Sequence, residues 1–390
     1  MNNLEQEITK KITTIIDVNH LDVLIISDIY NIQYATNIKI PCAHAQSDLR
    51  MFALLKKNNN PIVVVPKCWE NFVKESNHNV DVFAYSLQHD QLASAIKMVF
   101  KKCSSAKRFG SDDELISIKI SEMIKKEIAA LGSEHIACAD DIMGARSTKT
   151  KTEIKHLKSI AMKTDHAING YYHHLIADRS KSSMSISENL RIHSLERDIY
   201  LEGYNACSRG VIGNSISNIW SYAPKFGFAA SDFTEIGDTI IADAMNNENG
   251  YWSNSTRIAI MSEEMSDEQE IAYRHLVELR KILCNSLRVG LRCCEVYQDV
   301  VEKATNLGIE IIDGHALGFN VGVSPMEGPF LSLGDQTILK KNMILILDGL
   351  VKYKSLFYRS RDTVLLDIDE VKVINDYKSW EEPYFALNTI

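Results

Sequence analysis

Residues 237–257 of the chain read GDTIIADAMNNENGYWSNSTR, and this stretch decides the fold. Its two halves predict a pair of β-strands joined by a hairpin-like turn. Asp243 and Asn254 are 11 positions apart, on opposite strands of this ribbon. Side chains on one face of a two-stranded ribbon come close together, so the spacing predicts that the two polar groups converge.

Three later segments contain the other polar residues of interest: DGHALGFNVG (residues 313–322), MILILDG (343–349) and YRSRDTVLL (358–366). Together with residues 237–257 they resemble the pita-bread family, which includes methionine aminopeptidase, aminopeptidase P, prolidase and creatinase. The resemblance covers nearly the whole chain. It implies an α/β creatinase-like N-terminal domain followed by an α+β pita-bread C-terminal domain.

The resemblance also implies where a metal site would lie, because the peptidases of the family bind two metal ions with Asp, Asp, His, Glu and Glu. The matching positions here are Asp243, Asn254, His315, Asp348 and Arg361. An amide is a weaker ligand than a carboxylate for a divalent cation. Asp348 is one methylene shorter than the family's glutamate, and the guanidinium of Arg361 is permanently positive. We therefore expect neither a metal ion nor another cofactor.

Arg361 is the substitution with the largest expected consequence. Two buried carboxylates without a metal or another cation would be costly, and one arginine between Asp243 and Asp348 removes that cost. The sequence thus predicts an ion-paired centre where the related peptidases bind metal.

Creatinase is a branch of the family that works without metal and hydrolyses a guanidino C–N bond. It grips the substrate carboxylate with an arginine that reaches across a dimer interface, and Arg50 of SDLRMFALL lies at the matching place. The catalytic histidine of creatinase has no counterpart here, where Phe226 is the nearest match. The resemblance therefore implies a homodimer and a small carboxylate-bearing substrate other than creatine.

His315 is the titratable residue best suited to general acid–base work, because its reference pKa is about 6.5. A hydrogen-bonded core histidine is the alternative, since glycine and apolar neighbours flank it. Glu327 of SPMEGP lies on a loop that faces the site in the family, and Trp220 and Tyr222 of NIWSYAP are candidates for a pocket wall. For these three residues the alternative is turn capping or core packing.

The first part of the chain alternates between short apolar runs and helical patterns. LDVLIIS (residues 21–27) and PIVVVP (61–66) predict buried strands, and residues 89–103 have helical spacing. The polar stretch ARSTKTKTE then precedes a long amphipathic helix. We expect a boundary there, with a creatinase-like domain over residues 1–145 and a pita-bread domain over 146–390.

Composition narrows the class of protein. The 390 residues are 45% hydrophobic and 24% charged, which is ordinary for a globular protein, and a formal net charge of -8 argues against nucleic-acid binding. No apolar run approaches the ~20 residues of a membrane span. The first residues lack a signal-peptide pattern, and the eight cysteines include no CxxC pair. We expect a cytoplasmic protein with reduced thiols and no membrane partner.

These observations favour a metal-independent, creatinase-like enzyme that acts on a C–N or amide bond of a small amino-acid-like or guanidino metabolite. Hydrolysis is the default reaction, and cyclisation or elimination with the same acid–base groups stays open. The first alternative is an Xaa-Pro-type metallodipeptidase with altered ligands. The second is a catalytically inactive pita-bread scaffold that binds a partner.

Overall fold

The computed structural model of the chain describes residues 3–38, 51–86, 91–112, 118–208, 233–312, 314–375 and 381–389. The chain folds into two compact units, Met1–Arg146 and Ser147–Ile390. Over the described ranges, none of the helices combines the length and the apolar composition that crossing a membrane requires.

The first unit is an α/β domain. Its strands are β1 (Val23–Ile26), β2 (Phe52–Leu55), β3 (Ile62–Pro66), β4 (Asp81–Tyr85), β5 (Arg108–Ser111) and β6 (Glu134–Ala137). Its helices are α1 (Asn3–Val18), α2 (Ile29–Thr36), α3 (Glu70–Ser76), α4 (Leu92–Lys101), α5 (Ile118–Ala130) and α6 (Ala139–Ser147). The strands form one sheet in the order β4-β3-β2-β1-β5-β6. Both predicted strands and the predicted helix are confirmed as β1, β3 and α4.

The second unit contains the longer elements. Its helices are α7 (Lys151–Tyr172), α8 (Ser183–Leu195), α9 (Asp267–Ser286) and α10 (Cys293–Asn306). Its strands are β7 (Leu201–Ser208), β8 (Thr239–Glu248), β9 (Tyr251–Ile260), β10 (Glu310–Ile311), β11 (Gly318–Asn320), β12 (Glu327–Phe330), β13 (Ile344–Tyr353), β14 (Leu356–Leu366), β15 (Val371–Val373) and β16 (Tyr384–Phe385). The main sheet runs β12-β11-β13-β14-β9-β8-β7, and β10, β15 and β16 pair with β13, β14 and β9.

Two apolar cores hold the helices against this sheet. α7 and α8 pack on the β7–β9 part, where Ile168, Leu190 and Ile240 are fully buried. α9 packs on β13 and β14, where Leu283 and Leu345 are fully buried. Burial of such side chains is the main favourable contribution to folding. Each part of the sheet is therefore stabilised by its own apolar core.

The sheet places polar residues of four neighbouring strands in one row. Asp348 of β13 lies opposite Arg361 of β14, Arg361 lies opposite Thr256 of β9, and Thr256 lies opposite Asp243 of β8. Directly opposed residues on neighbouring strands project from the same face. The predicted hairpin around Asp243 and Asn254 is confirmed as β8 and β9, and its register aligns the row.

Gly318 allows β11 to approach β13 closely, and we predict that this position tolerates no side chain. A Cβ at Gly318 would lie 2.7 Å from the carbonyl oxygen of Ile346 and 3.0 Å from Leu331 Cδ1, whereas a Cβ at Gly334 meets nothing within 4 Å. Gly318→Ala should therefore lower the free energy of unfolding by about 1–3 kcal/mol. The matched control Gly334→Ala should stay within about 0.5 kcal/mol of wild type. Urea unfolding of the full chain measures both, and equal effects would refute the close approach.

Candidate functional site

Asp348 is the most heavily paired side chain of the polar row. Its Oδ1 accepts a hydrogen bond from Arg359 Nε at 2.7 Å, and its Oδ2 accepts from Arg359 Nη2 at 2.5 Å and from Arg361 Nε at 3.0 Å. All three side chains are buried. Burial alone would raise the pKa of Asp348, but the charges of Arg359, Arg361 and His315 hold it well below its usual range. The carboxylate is therefore ionised at neutral pH.

Arg361 lies between the two carboxylates but is bonded to only one of them. Its Nη1 is 4.0 Å from Asp243 Oδ1, which is ion-pair distance and too long for a hydrogen bond. Asp243 Oδ1 instead accepts the hydroxyl of Thr256, the residue directly opposite. Arg361 therefore pairs with both carboxylates of the predicted ion-paired centre, but it forms a hydrogen bond only with Asp348. Among the described residues, Asp243 Oδ2 and both Nη atoms of Arg361 are buried without a hydrogen-bond partner.

His315 and Asn254 complete the set of residues that the sequence singled out. His315 Nε2 is 3.6 Å from Asp348 Oδ2, and its side chain is 12% exposed against 2% for Asp348. Asn254 is two residues before Thr256 on β9 and therefore on the same face, and its buried Oδ1 has no hydrogen-bond partner. We call Asp243, Asn254, His315, Asp348, Arg359 and Arg361 the polar cluster.

Glu327 is engaged in a buried ion pair that the sequence did not predict. Its Oε1 is 3.0 Å from Lys149 Nζ, and both side chains are at most 2% exposed. Lys149 also donates to Asn320 Oδ1 at 2.5 Å. A Cβ at Gly322 would lie 2.9 Å from Glu327 Oε1 and 3.1 Å from Lys149 Nζ. The ion pair thus fills the space beside Gly322.

A second group of buried charges supports the polar cluster. Arg257 Nη2 is 2.9 Å from Asp165 Oδ1 and 3.0 Å from Asp362 Oδ1, and Asp362 Oδ2 is 2.6 Å from Arg280 Nε. Burial raises the pKa of Asp165, with the charge of Arg257 acting against it. Burial would also raise the pKa of Asp362, but the charges of Arg280 and Arg257 lower it overall. Asp362 is thus held ionised by two arginines.

Sequence reasoning missed the residues whose partners are distant in the chain. Arg359 was also missed, although its alternation with Arg361 in YRSRD places both on one face of a strand. Arg50, Trp220 and Tyr222 lie outside the described residues. In the ranges that the structure describes, no three His, Cys, Asp or Glu side chains are grouped closely enough to hold a metal ion.

Comparison with known proteins identifies the family. Residues 162–365 match the profile of metallopeptidase family M24, and residues 9–148 match that of the creatinase/prolidase N-terminal domain. The chain belongs to metallopeptidase family M24. The family resemblance and the two-domain fold class, a creatinase-type N-terminal domain before a pita-bread C-terminal domain, are confirmed.

The relatives of this M24 chain are named as peptidases. An Xaa-Pro dipeptidase from Pyrococcus horikoshii is 23% identical over 371 residues, which cover 93% of this chain and 95% of the relative. Among solved structures, an Xaa-Pro dipeptidase from Bacillus anthracis has a TM-score of 0.77 at 19% identity and covers 98% of this chain and 99% of its own. The N-terminal domain of FACT complex subunit SPT16 from chickpea has a TM-score of 0.67 at 14% identity, with coverage of 95% and 96%. These structural likenesses show a shared fold.

Arg361 should be essential to the stability of the M24 domain. Arg361→Met keeps most of the side-chain volume but removes the ion-pair partner of Asp243 and leaves Asp348 with Arg359 as its arginine partner. Loss of one partner from a buried ion pair costs about 3–5 kcal/mol. Lys57→Ala is the control, because it removes a salt bridge to Asp17 whose side chains are 50% and 49% exposed. Its expected cost is below about 1 kcal/mol. If calorimetric unfolding shows equally small losses for both variants, Arg361 is not the counter-charge of the cluster.

Proposed function

We propose that the chain is a hydrolase that cleaves an amide or other C–N bond of a small amino-acid-like molecule, and that it does so without a dinuclear metal centre. The observation that carries this proposal is the burial of Arg361 against Asp348. A permanently charged guanidinium occupies the place where the related peptidases have a bridging carboxylate.

The residues present do not fit two divalent cations. A carboxylate that accepts three hydrogen bonds from two guanidinium groups has little capacity left for a metal ion, and Asp348 is in this state. Arg361 Nη1 lies 4.0 Å from Asp243 Oδ1, so its positive charge would repel a divalent cation that approached this carboxylate. Asn254 offers only a neutral amide oxygen. No step of the reaction is therefore assigned to a metal.

His315 is the member of the polar cluster that a substrate can reach, since part of its side chain is exposed whereas Asp348 and Arg361 are sealed. In the proposed reaction a water molecule adds to the carbon of the C–N bond as His315 takes its proton on Nδ1, because Nε2 is buried and faces Asp348 Oδ2 at 3.6 Å. Asp348 stabilises the imidazolium that forms, and His315 then returns the proton to the leaving nitrogen. Arg361 acts as a fixed positive charge that, with Arg359, keeps Asp348 ionised.

The main alternative is an Xaa-Pro-type metallodipeptidase. The relatives support this alternative more than a creatinase-like activity, because the proteins that align over nearly the full length of the chain are named Xaa-Pro dipeptidases. A measured metal content of two ions per chain would favour the metallodipeptidase over the metal-independent hydrolase. A third possibility, a binding scaffold, has support only at the level of fold, from the likeness to a domain of a FACT complex subunit.

Arg50 and dimer formation belong to the same proposal. The resemblance to creatinase assigns Arg50 to the substrate carboxylate of a neighbouring protomer, and this assignment stays a prediction. It makes the active form a homodimer acting on a small carboxylate-bearing molecule.

Turnover of a library of dipeptides and small amino-acid derivatives tests the proposal. For the substrate that is found, His315→Ala should lower turnover by about 10²–10⁴ while the fold is retained. Arg50→Ala should mainly weaken substrate binding. His78→Ala, which removes an exposed histidine of the first unit, is the matched control and should keep wild-type turnover. Wild-type turnover by His315→Ala would refute this role, and absence of any turnover would favour the scaffold.

A further inference from the structure

The polar cluster straddles the junction of the main sheet that has the fewest registered residue pairs among the described strands. β8 and β9 share ten registered pairs, from Thr239 with Ile260 to Glu248 with Tyr251, and β13 and β14 also share ten. Between β9 and β14 the described residues form one registered pair, Thr256 with Arg361. We call this junction the β9–β14 seam. Asp243 and Asn254 lie on one side of it, and Arg361, Asp348 and His315 lie on the other.

The side chain of Arg257 bridges this seam from behind. Its Nη1 donates to the carbonyl oxygens of Thr256 at 2.9 Å and of Arg361 at 2.7 Å. These two carbonyls belong to the one registered pair of the seam. Arg257 follows Thr256 in the strand, so its side chain projects from the opposite face of the sheet. Arg257 therefore joins the two sides without entering the face that carries the cluster.

Two carboxylates, one on a helix and one on a strand, fix the position of the Arg257 guanidinium. Asp165 of α7 binds Nη2 at 2.9 Å, and Asp362 of β14 binds it at 3.0 Å. Asp362 is itself paired with Arg280 of α9 at 2.6 Å. Arg257 is 3% exposed, so these contacts form in an environment with little solvent screening. Arg257 is thus connected to α7 through Asp165 and to α9 through Asp362 and Arg280.

We propose that Arg257 is a positioning residue that sets the separation of the two sides of the seam, and through it the 4.0 Å separation of Arg361 from Asp243. Arg257 acts through the backbone of Thr256 and Arg361, to whose carbonyl oxygens it donates. As a role in catalysis, this inference rests on the proposed function, because it takes the polar cluster as the reacting site. The geometric part of the inference stands without it.

Two lysine substitutions separate positioning from stability. Arg257→Lys keeps a charge beside Asp165, but a single ammonium cannot reach two carbonyls and two carboxylates as a guanidinium does. Arg280→Lys is the matched control, since it alters the same buried ion-pair network through its pair with Asp362. Both variants should lower the free energy of unfolding, and urea unfolding of each full chain measures that effect.

Amide hydrogen exchange and a crystal structure of each variant report on the seam itself. For Arg257→Lys we expect exchange at residues 254–258 and 359–363 to rise about tenfold relative to Arg280→Lys, as loss of the bridging hydrogen bonds implies. The Arg361 to Asp243 separation should change only in Arg257→Lys. Equal exchange in the two variants, or an unchanged cluster in Arg257→Lys, would overturn the inference.

Turnover of the substrate used for the His315 variant is the remaining readout. If Arg257 positions the cluster, Arg257→Lys should lower kcat about tenfold or more with little change in KM, whereas Arg280→Lys should not. Equal kcat in the two variants would overturn the catalytic part of the inference. If wild type turns nothing over while exchange at the seam responds as expected, the proposed function fails and the seam role of Arg257 stands.

Discussion

The pairing of Asp348 with two buried guanidinium groups is the interaction on which the second unit depends. Arg359 binds both oxygens of the carboxylate, and Arg361 adds a third hydrogen bond. Taking such charges out of water costs several kcal/mol per ion unless geometry and hydrogen bonds offset it. With Asp243 in the same row, two arginines and two aspartates bring the formal charge to zero. No member can be removed without leaving a buried charge unmatched.

On each face of the sheet a buried arginine balances the charge of buried carboxylates. On the face that carries the polar cluster, Arg361 neutralises carboxylates that would otherwise need a metal ion. On the opposite face, Arg257 neutralises Asp165 and Asp362 and holds the backbone of the seam. Burial and the charge of Arg359 lower the pKa of Arg361, yet a guanidinium stays protonated in proteins. A cation of this kind supplies fixed charge, and unlike a metal ion it offers no open coordination position to water.

Much of the fold could be predicted because hairpin register follows from local sequence. The spacing of Asp243 and Asn254, and the alternation in YRSRD, depend on strand periodicity alone. The contact between Arg361 and Asp348 followed from charge balance. The lack of a hydrogen bond between Arg361 and Asp243 could not be predicted, because it depends on the hydroxyl of Thr256 across the strand. The Lys149–Glu327 pair joins residues 178 positions apart, and sequence patterns do not report such contacts.

Binding of Mn²⁺ to the metal-stripped protein, measured by calorimetric titration, tests the central claim that arginine replaces metal in this M24 domain. The wild-type chain is compared with a triple variant, Asn254→Asp, Asp348→Glu and Arg361→Glu, which restores the carboxylates of the related peptidases. The account predicts no stoichiometric binding by wild type and a gain of binding in the triple variant. Tight binding of two Mn²⁺ ions per wild-type chain would contradict it.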